Sequence, residues 1–154
     1  EFLDCAVTFL NPNKWTPSIY PATLTEIRFN YFIQSSLADS DVKGFPTTLR
    51  RLNLDGAPGL SIEGIRLLPT TLTSLKIGQR LEPLYDHHIS DFPPHLTRLG
   101  LCSMADKLTP AACRLFPSGL RKLSWTASPI TDTPEIRAIL PKTLQILTLD
   151  EKRR

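Results

Sequence analysis

Apolar residues recur along the chain in one pattern, which is clearest at Leu68-Pro69 and the following Leu72, Leu75 and Ile77. In each copy a proline is followed by apolar residues three, six and eight positions later. Six copies occur, so that successive prolines are 23 to 25 residues apart, at Pro21, Pro46, Pro69, Pro93, Pro117 and Pro141. A fixed period in this range is typical of a solenoid, in which each repeat buries its apolar residues against its neighbours.

The last two apolar positions of each copy predict a short parallel strand. Leu75 and Ile77 are two residues apart, so their side chains point to the same side of a strand, toward the core. Ser74 and Lys76 then point to the opposite side. The pattern predicts strands near residues 25–29, 50–54, 73–77, 97–101, 121–125 and 145–149, with a degenerate leading strand near residues 3–9.

Three of the segments that connect the strands carry the signals of short helices. Ser61, Thr109 and Thr133 each lie eight residues before a repeat proline, and Pro110 and Pro134 directly follow two of them. A hydroxyl residue at the N-cap and a proline at the first helical position are favourable at a helix start. The side chains predicted to face the sheet from these helices are Ile65, Cys113 and Ile136.

Two other connecting segments give weaker signals. Residues 79–91 lack the helix pattern, and residues 85–88 are predicted to form an irregular loop. Residues 30–44 are intermediate, with Asp39 or Ser40 as candidate helix caps.

The six copies resemble leucine-rich repeats, whose signature is Leu-x-x-Leu-x-Leu at this period. The proline ahead of the first leucine resembles the repeats of bacterial secreted effectors and of some protist tandem-repeat proteins. The resemblance implies a right-handed α/β solenoid with a parallel sheet on the concave side and short helices and loops on the convex side. Residues 1–154 are interpreted as a single repeat domain of six repeats and as a fragment of a longer chain.

One feature departs from the usual repeat. The position that normally carries an asparagine or cysteine, three residues after the last core leucine, is occupied by Phe32, Ala57, Arg80, Met104, Ser128 and Lys152. The sequence therefore contains no asparagine ladder, and the backbone groups of these turns need other hydrogen-bond partners.

Composition narrows the function only slightly. The 154 residues suit one domain, and a net charge of +3 is too small by itself to indicate nucleic-acid binding. No apolar run is long enough to span a membrane. The three cysteines form no closely spaced pair, which favours a reduced, intracellular (cytoplasmic) setting.

The sequence offers no persuasive reaction chemistry. His87, His88 and His95 lie near one another in sequence, but Cys102 is their nearest cysteine and the paired ligands of a structural zinc site are missing. No glycine-rich phosphate loop is present. We therefore expect no catalytic residue, no metal, no cofactor and no small-molecule substrate, and we interpret the chain as a binding protein and not an enzyme.

The outward positions of the strands carry the candidate binding residues. They form columns across the predicted sheet and are basic through the middle repeats, and the residues assigned to a protein partner are Arg28, Arg51, Asn53, Lys76, Arg98, Lys122 and Ser124. Asp55 is the nearby acid expected to pair with Arg28 or Lys76. The columns contain no aromatic residue, which argues against single-stranded nucleic acid.

We expect this face to bind an acidic protein partner. A second interpretation is a solvated sheet surface in a structural segment of a longer solenoid, where charged side chains cover apolar neighbours. The resemblance to effector repeats adds a third, the substrate-recognition part of a multidomain ubiquitin ligase.

Overall fold

The computed structural model describes residues 6–8, 20–29, 37–55, 60–78, 83–102 and 107–151. Within these ranges seven strands form one parallel sheet in chain order. The strands are β1 (Ala6–Thr8), β2 (Glu26–Arg28), β3 (Arg51–Leu54), β4 (Ser74–Ile77), β5 (Arg98–Leu101), β6 (Lys122–Ser128) and β7 (Ile146–Glu151). The connecting segments contain α1 (Asp39–Val42), α2 (Ile62–Arg66), α3 (Pro134–Ile139) and two 3-10 helices, Asp86–Asp91 and Pro110–Arg114.

The register of the sheet places equivalent residues of successive repeats side by side. Leu75 of β4 is paired with Leu52 of β3 on one side and with Leu99 of β5 on the other. The inward residues form a continuous apolar row that is at most 2% exposed, consisting of Ile27, Leu52, Leu75, Leu99 and Leu123. Stacking therefore removes from water an apolar row that a single repeat could not bury.

The last described strand differs from the others at its edge. Because β7 has a neighbour on only one side in this sheet, Leu144, Leu147 and Leu149 are only partly buried. Trp125 of β6 takes the position that leucine or isoleucine holds in β3, β4, β5 and β7, and it is fully buried. It packs edge-on against Phe116, with the ring centroids 6.1 Å apart.

The short helices predicted in three segments are present in all three, two of them as α-helices and one as a 3-10 helix. The Ser61 hydroxyl accepts hydrogen bonds from the backbone N–H groups of Glu63 and Gly64, and the Thr133 hydroxyl accepts one from Ile136. Thr109 also caps, but the helix that follows it, Pro110–Arg114, is a 3-10 helix. The three side chains expected to face the sheet are buried, namely Ile65, Cys113 and Ile136.

The expectation of an irregular loop at residues 85–88 is wrong. Asp86–Asp91 is a 3-10 helix, closed at its start by the backbone N–H of His88 donating to the Tyr85 carbonyl at 2.9 Å. The Asp86 carboxylate accepts hydrogen bonds from the Thr109 N–H at 2.8 Å and from the Thr109 hydroxyl. The local sequence carries no signal for this helix because the stabilising partner lies one repeat further along the chain.

Asp39 and Ser40 are not the caps of α1, which corrects the second weak expectation. Ala38 occupies the N-cap position, and the side chain of Asp41 accepts a hydrogen bond from its N–H at 2.9 Å. Asp39 lies at the first helical position and its carboxylate accepts from the Ser61 N–H at 2.9 Å and the Ser61 hydroxyl at 2.6 Å. Asp39 and Asp86 thus tie two helical segments to the next repeat in the same way.

Threonine hydroxyls supply hydrogen bonds between repeats at the start of the strands. Thr48, Thr71 and Thr143 each follow a repeat proline by two positions and donate to the carbonyl of the first leucine of the preceding repeat. These donor–acceptor distances are 2.8, 2.9 and 2.8 Å. Backbone carbonyls that would otherwise need water are therefore satisfied within the solenoid.

The turns after the strands, where an asparagine ladder would stand, are described at one position only. Ser128 is buried, and its hydroxyl accepts from the Ile130 N–H at 3.1 Å and donates to the Ile130 carbonyl at 3.0 Å. A local hydroxyl thus satisfies the backbone there. The corresponding positions 32, 57, 80, 104 and 152 lie outside the described residues.

The repeat of Pro117 lacks the threonine, which gives a stability prediction. Gly119 takes the threonine position, and a Cβ atom built on it would lie 3.9 Å from the Leu96 carbonyl oxygen. Gly119→Thr is expected to raise the free energy of unfolding by about 1 to 2 kcal/mol. One contribution is the lower conformational entropy of the unfolded chain, and the other is a new hydrogen bond from the threonine hydroxyl to the Leu96 carbonyl. Urea unfolding of Gly119→Thr and Gly119→Ala separates the two terms. Equal stability of these variants would show that the hydroxyl contributes nothing.

Candidate protein-binding face

The outward side chains of β2 to β7 form a surface that we call the strand face. Its first column follows from the register and contains Glu26, Arg51, Ser74, Arg98, Lys122 and Ile146. The second column contains Arg28, Asn53, Lys76, Gly100, Ser124 and Thr148. Equivalent residues on neighbouring strands stand about 4.8 Å apart, so charges within a column influence one another.

At the β2–β3 end of the face, one acidic residue forms ion pairs with two of the predicted binding residues, which lowers their combined charge from +2 to +1. Glu26 has a side chain only 8% exposed, and its carboxylate lies 2.5 Å from Arg28 and 3.2 Å from Arg51. Burial alone would raise the pKa of Glu26, but the hydrogen bonds and charges of both arginines outweigh it and lower the pKa below its usual value. Asp55 is therefore not the one nearby acid of this face, because Glu26 also lies beside Arg28 and Arg51.

Asp55 neutralises a third predicted residue. Its carboxylate lies 2.5 Å from the ammonium group of Lys76. This is one of the two pairings expected from the sequence. This hydrogen bond raises the pKa of Lys76. The Asn53 side chain accepts a hydrogen bond from the Asp55 N–H at 2.9 Å, so Asn53 stabilises the turn after β3.

Arg98 and Lys122 form the part of the face whose charge has no compensating carboxylate among the described residues. They are register partners on β5 and β6 and both are exposed. Among the residues that the structure describes, neither has a carboxylate within ion-pair distance. We call these two residues the cationic pair. Arg121 is an exposed residue just before β6 and adds a third positive charge nearby.

Two depressions flank the cationic pair. The central depression has a volume of about 310 Å³ and lies over Gly100, with Lys76, Cys102 and Ser124 in its lining. The second lies at the start of the strands, measures about 530 Å³ and is lined by Arg121 and Gln145 in addition to the pair. Arg98 and Lys122 contribute to both depressions.

Cys102 shows no sign of an activated thiol. Burial and the negative charge of Asp55 raise its pKa, although Lys76 acts in the opposite direction. The thiol is therefore protonated and uncharged at neutral pH, which is the opposite of what a nucleophilic cysteine requires. Cys113 is fully buried, and burial raises its pKa to about 11.

Six of the seven predicted binding residues therefore divide into two groups, and the seventh, Asn53, accepts a hydrogen bond in the turn after β3. Lys76, Arg98, Lys122 and Ser124 line the central depression together, whereas Arg28 and Arg51 lie with Glu26 on β2 and β3. The role of Glu26 could have been found in the sequence, because it shares a face with Arg28 and a column with Arg51. The shape of the central depression could not, because it depends on how side chains pack around Gly100.

The described ranges offer no metal-binding cluster. No group of three or more His, Cys, Asp or Glu side chains there could hold a metal ion. His87 and His88 lie with their ring centroids 4.0 Å apart beside Tyr85. None of the helices in these ranges has the length and apolar character needed to cross a membrane.

The Glu26 cluster predicts a pH dependence of stability. The pKa of Glu26 is lower in the folded chain than in the unfolded chain. The ion pairs therefore stabilise the fold above the unfolded pKa, near 4.3, and this stabilisation is lost as the pH falls through the folded pKa. Glu26→Gln is expected to cost about 1 kcal/mol at pH 7, because both arginines are about half exposed and screened by water. Urea unfolding of both proteins at pH 7 and at about pH 3 tests this. A difference that stays constant with pH would contradict the ion pair.

Comparisons with known proteins identify the fold. No protein-family model and no curated protein sequence matches the chain. Two solved structures are similar to it. The leucine-rich-repeat-containing protein LegL7 from Legionella pneumophila is 13% identical with a TM-score of 0.57, over 96% of this chain and 55% of LegL7. CroV588, described as a novel circular leucine-rich-repeat protein structure, is 15% identical with a TM-score of 0.53, over 99% of this chain and 25% of CroV588.

These likenesses show the fold of the chain. It is a leucine-rich-repeat solenoid of the α/β class, with the parallel sheet on the concave side and the short helices on the convex side. The chain spans 55% of the length of LegL7 and 25% of that of CroV588.

Proposed function

We propose that the chain is a protein-interaction module whose strand face binds an acidic segment of a protein partner through the cationic pair. The observation that carries the proposal is the uneven neutralisation of this face. Arg28, Arg51 and Lys76 have carboxylates of the same chain beside them, whereas Arg98 and Lys122 have none in the described ranges. Two like charges on adjacent strands repel each other, and an acidic ligand relieves that repulsion.

The fold supports this function in a general way. Stacked repeats create an extended concave surface, and that surface suits an elongated or protein ligand. Charge complementarity on such a surface contributes mainly to specificity and to the rate of association.

The proposal is tested with two labelled peptides of twelve residues, one of glutamate and glycine and one of glutamine and glycine. Fluorescence anisotropy is expected to show binding of the glutamate peptide only. The affinity should fall by about tenfold or more between roughly 20 mM and 150 mM salt, since exposed charges are screened over this range. Equal affinities of the two peptides would favour the alternative, a solvated surface within a structural solenoid.

A further inference from the structure

Gly100 lies among the outward residues that line the central depression of the strand face. Its register partners are Lys76 on β4 and Ser124 on β6. The first column contributes Ser74, Arg98 and Lys122 on one side of Gly100, and Cys102 and Thr126 line the depression as well. Because Gly100 carries no side chain, the surrounding groups border an open depression over its backbone.

We infer that this central depression binds the phosphate group of a phosphorylated serine or threonine on the protein partner. The inference rests on the proposed function and specifies the chemistry that the same face recognises.

The charge of the depression fits a phosphate monoester better than a carboxylate. The cationic pair supplies two positive charges to the central depression. Lys76, the other cation in its lining, has Asp55 as its partner, and Arg121 lines only the second depression. A phosphorylated side chain carries a charge of about −1.5 to −2 at pH 7, whereas a carboxylate carries only −1. The uncompensated charge of this site therefore matches a dianion.

The hydrogen-bond donors of the depression point to the same ligand. Within the described part of the chain, the hydroxyls of Ser74 and Ser124 make no hydrogen bond to a protein group. Together with Arg98 and Lys122 they surround the central glycine with donors. A phosphate offers three strong acceptor oxygens, and it can engage several of these groups at once.

The size and the remaining lining of the depression permit this occupant. A volume of about 310 Å³ equals the liquid volume of about ten water molecules, which is ample for a phosphate group. A Cβ atom at Gly100 would come within 3.0 Å of the Lys76 Cγ, so the stem of Lys76 forms a wall close to the glycine. The Cys102 thiol is uncharged at neutral pH and does not repel an anion.

The test is an NMR titration of the isotope-labelled chain with three small probes. These are blocked phosphoserine, blocked glutamate (both N-acetyl, N-methylamide) and inorganic phosphate. Phosphoserine is expected to shift the amide signals of Gly100, Cys102 and Ser124 and to bind about tenfold more tightly than glutamate, since charge-assisted contacts to a dianion are stronger. Its affinity should weaken below about pH 6, where the phosphate loses one charge.

Two variants and one control locate the site. Arg98→Gln with Lys122→Gln should remove the phosphoserine shifts, and Gly100→Val should do so by filling the depression while the flexible Lys76 moves aside. The control is Lys107→Gln with Arg114→Gln, which removes the same charge from exposed positions in the segment between β5 and β6. It should bind phosphoserine like the unmodified chain.

The outcomes separate this inference from the proposed function. If glutamate binds as tightly as phosphoserine while the glutamate peptide is still bound, the face recognises acidic segments in general and the phosphate inference is wrong. If inorganic phosphate binds as tightly as phosphoserine, the depression is a site for the free ion and the inference is also overturned. If neither phosphoserine nor the glutamate peptide binds, the proposed function itself fails.

Discussion

Leu75→Ala is expected to lower the free energy of unfolding by about 2 to 5 kcal/mol, the usual cost of truncating a fully buried leucine. Leu75 is 1% exposed and lies in the middle of the apolar row, between Leu52 and Leu99. Truncation leaves a cavity between two strands that are fixed by the neighbouring repeats. The sheet therefore has little freedom to close around it, which places the expected cost toward the upper half of this range.

The matched control is the preceding residue on the same strand. The Ser74 side chain points to the strand face, and its hydroxyl makes no hydrogen bond to the described part of the chain, so Ser74→Ala should change stability by less than about 0.5 kcal/mol. Urea midpoints of the two variants measure the difference. Comparable losses in both would contradict the assignment of inward and outward positions.

Gly78→Ala is expected to cost about 2 to 3 kcal/mol, the upper part of the range for overpacking a close-packed site. A Cβ atom on this buried glycine would lie 2.5 Å from both the Cα and the carbonyl oxygen of Asp55, well inside van der Waals contact. The obstacle is backbone, so no side chain can rotate away. Separation of the strands would also disturb Asp55, whose carboxylate pairs with Lys76.

Gly119→Ala is the natural comparison because the same methyl group would make only an ordinary van der Waals contact there. The nearest contact of the new methyl group would be the Leu96 carbonyl oxygen at 3.9 Å. The free energy of unfolding should therefore rise by about 0.4 to 1 kcal/mol, because alanine lowers the conformational entropy of the unfolded chain. Thermal or urea unfolding of both variants gives the two changes. If Gly78→Ala is tolerated like Gly119→Ala, the close approach of β3 and β4 at this point is not as described.

Periodicity makes the inward and outward faces predictable from the sequence. A parallel sheet with one strand per repeat determines which residues share a column, so the repeat spacing alone puts Arg98 beside Lys122. The helix starts at Ser61 and Thr133 are predictable because a hydroxyl cap acts on the next few residues of its own chain segment.

What could not be predicted depends on contacts between repeats. Asp39 and Asp86 look like caps or loop residues in isolation, but each accepts hydrogen bonds from a residue one repeat later. The charge of the strand face differs from its expected pattern for the same reason, since Glu26 occupies an outward position but is almost buried between two arginines. Long side chains choose among several neighbours, and sequence spacing does not determine that choice.

The central claim is that the cationic pair, and not the ion-paired Arg28 and Arg51, captures acidic ligands. Its most direct test is the affinity of the labelled glutamate peptide for three variants. These are Arg98→Gln with Lys122→Gln, the triple change of Glu26, Arg28 and Arg51 to glutamine, and the control Lys107→Gln with Arg114→Gln.

The first variant should bind at least about tenfold more weakly, while the other two stay within about threefold of the unmodified chain, because the remaining charges are either compensated or distant. Circular dichroism should show the same fold in all of them. Retained binding in the first variant, or an equal loss in the triple variant, would contradict the account.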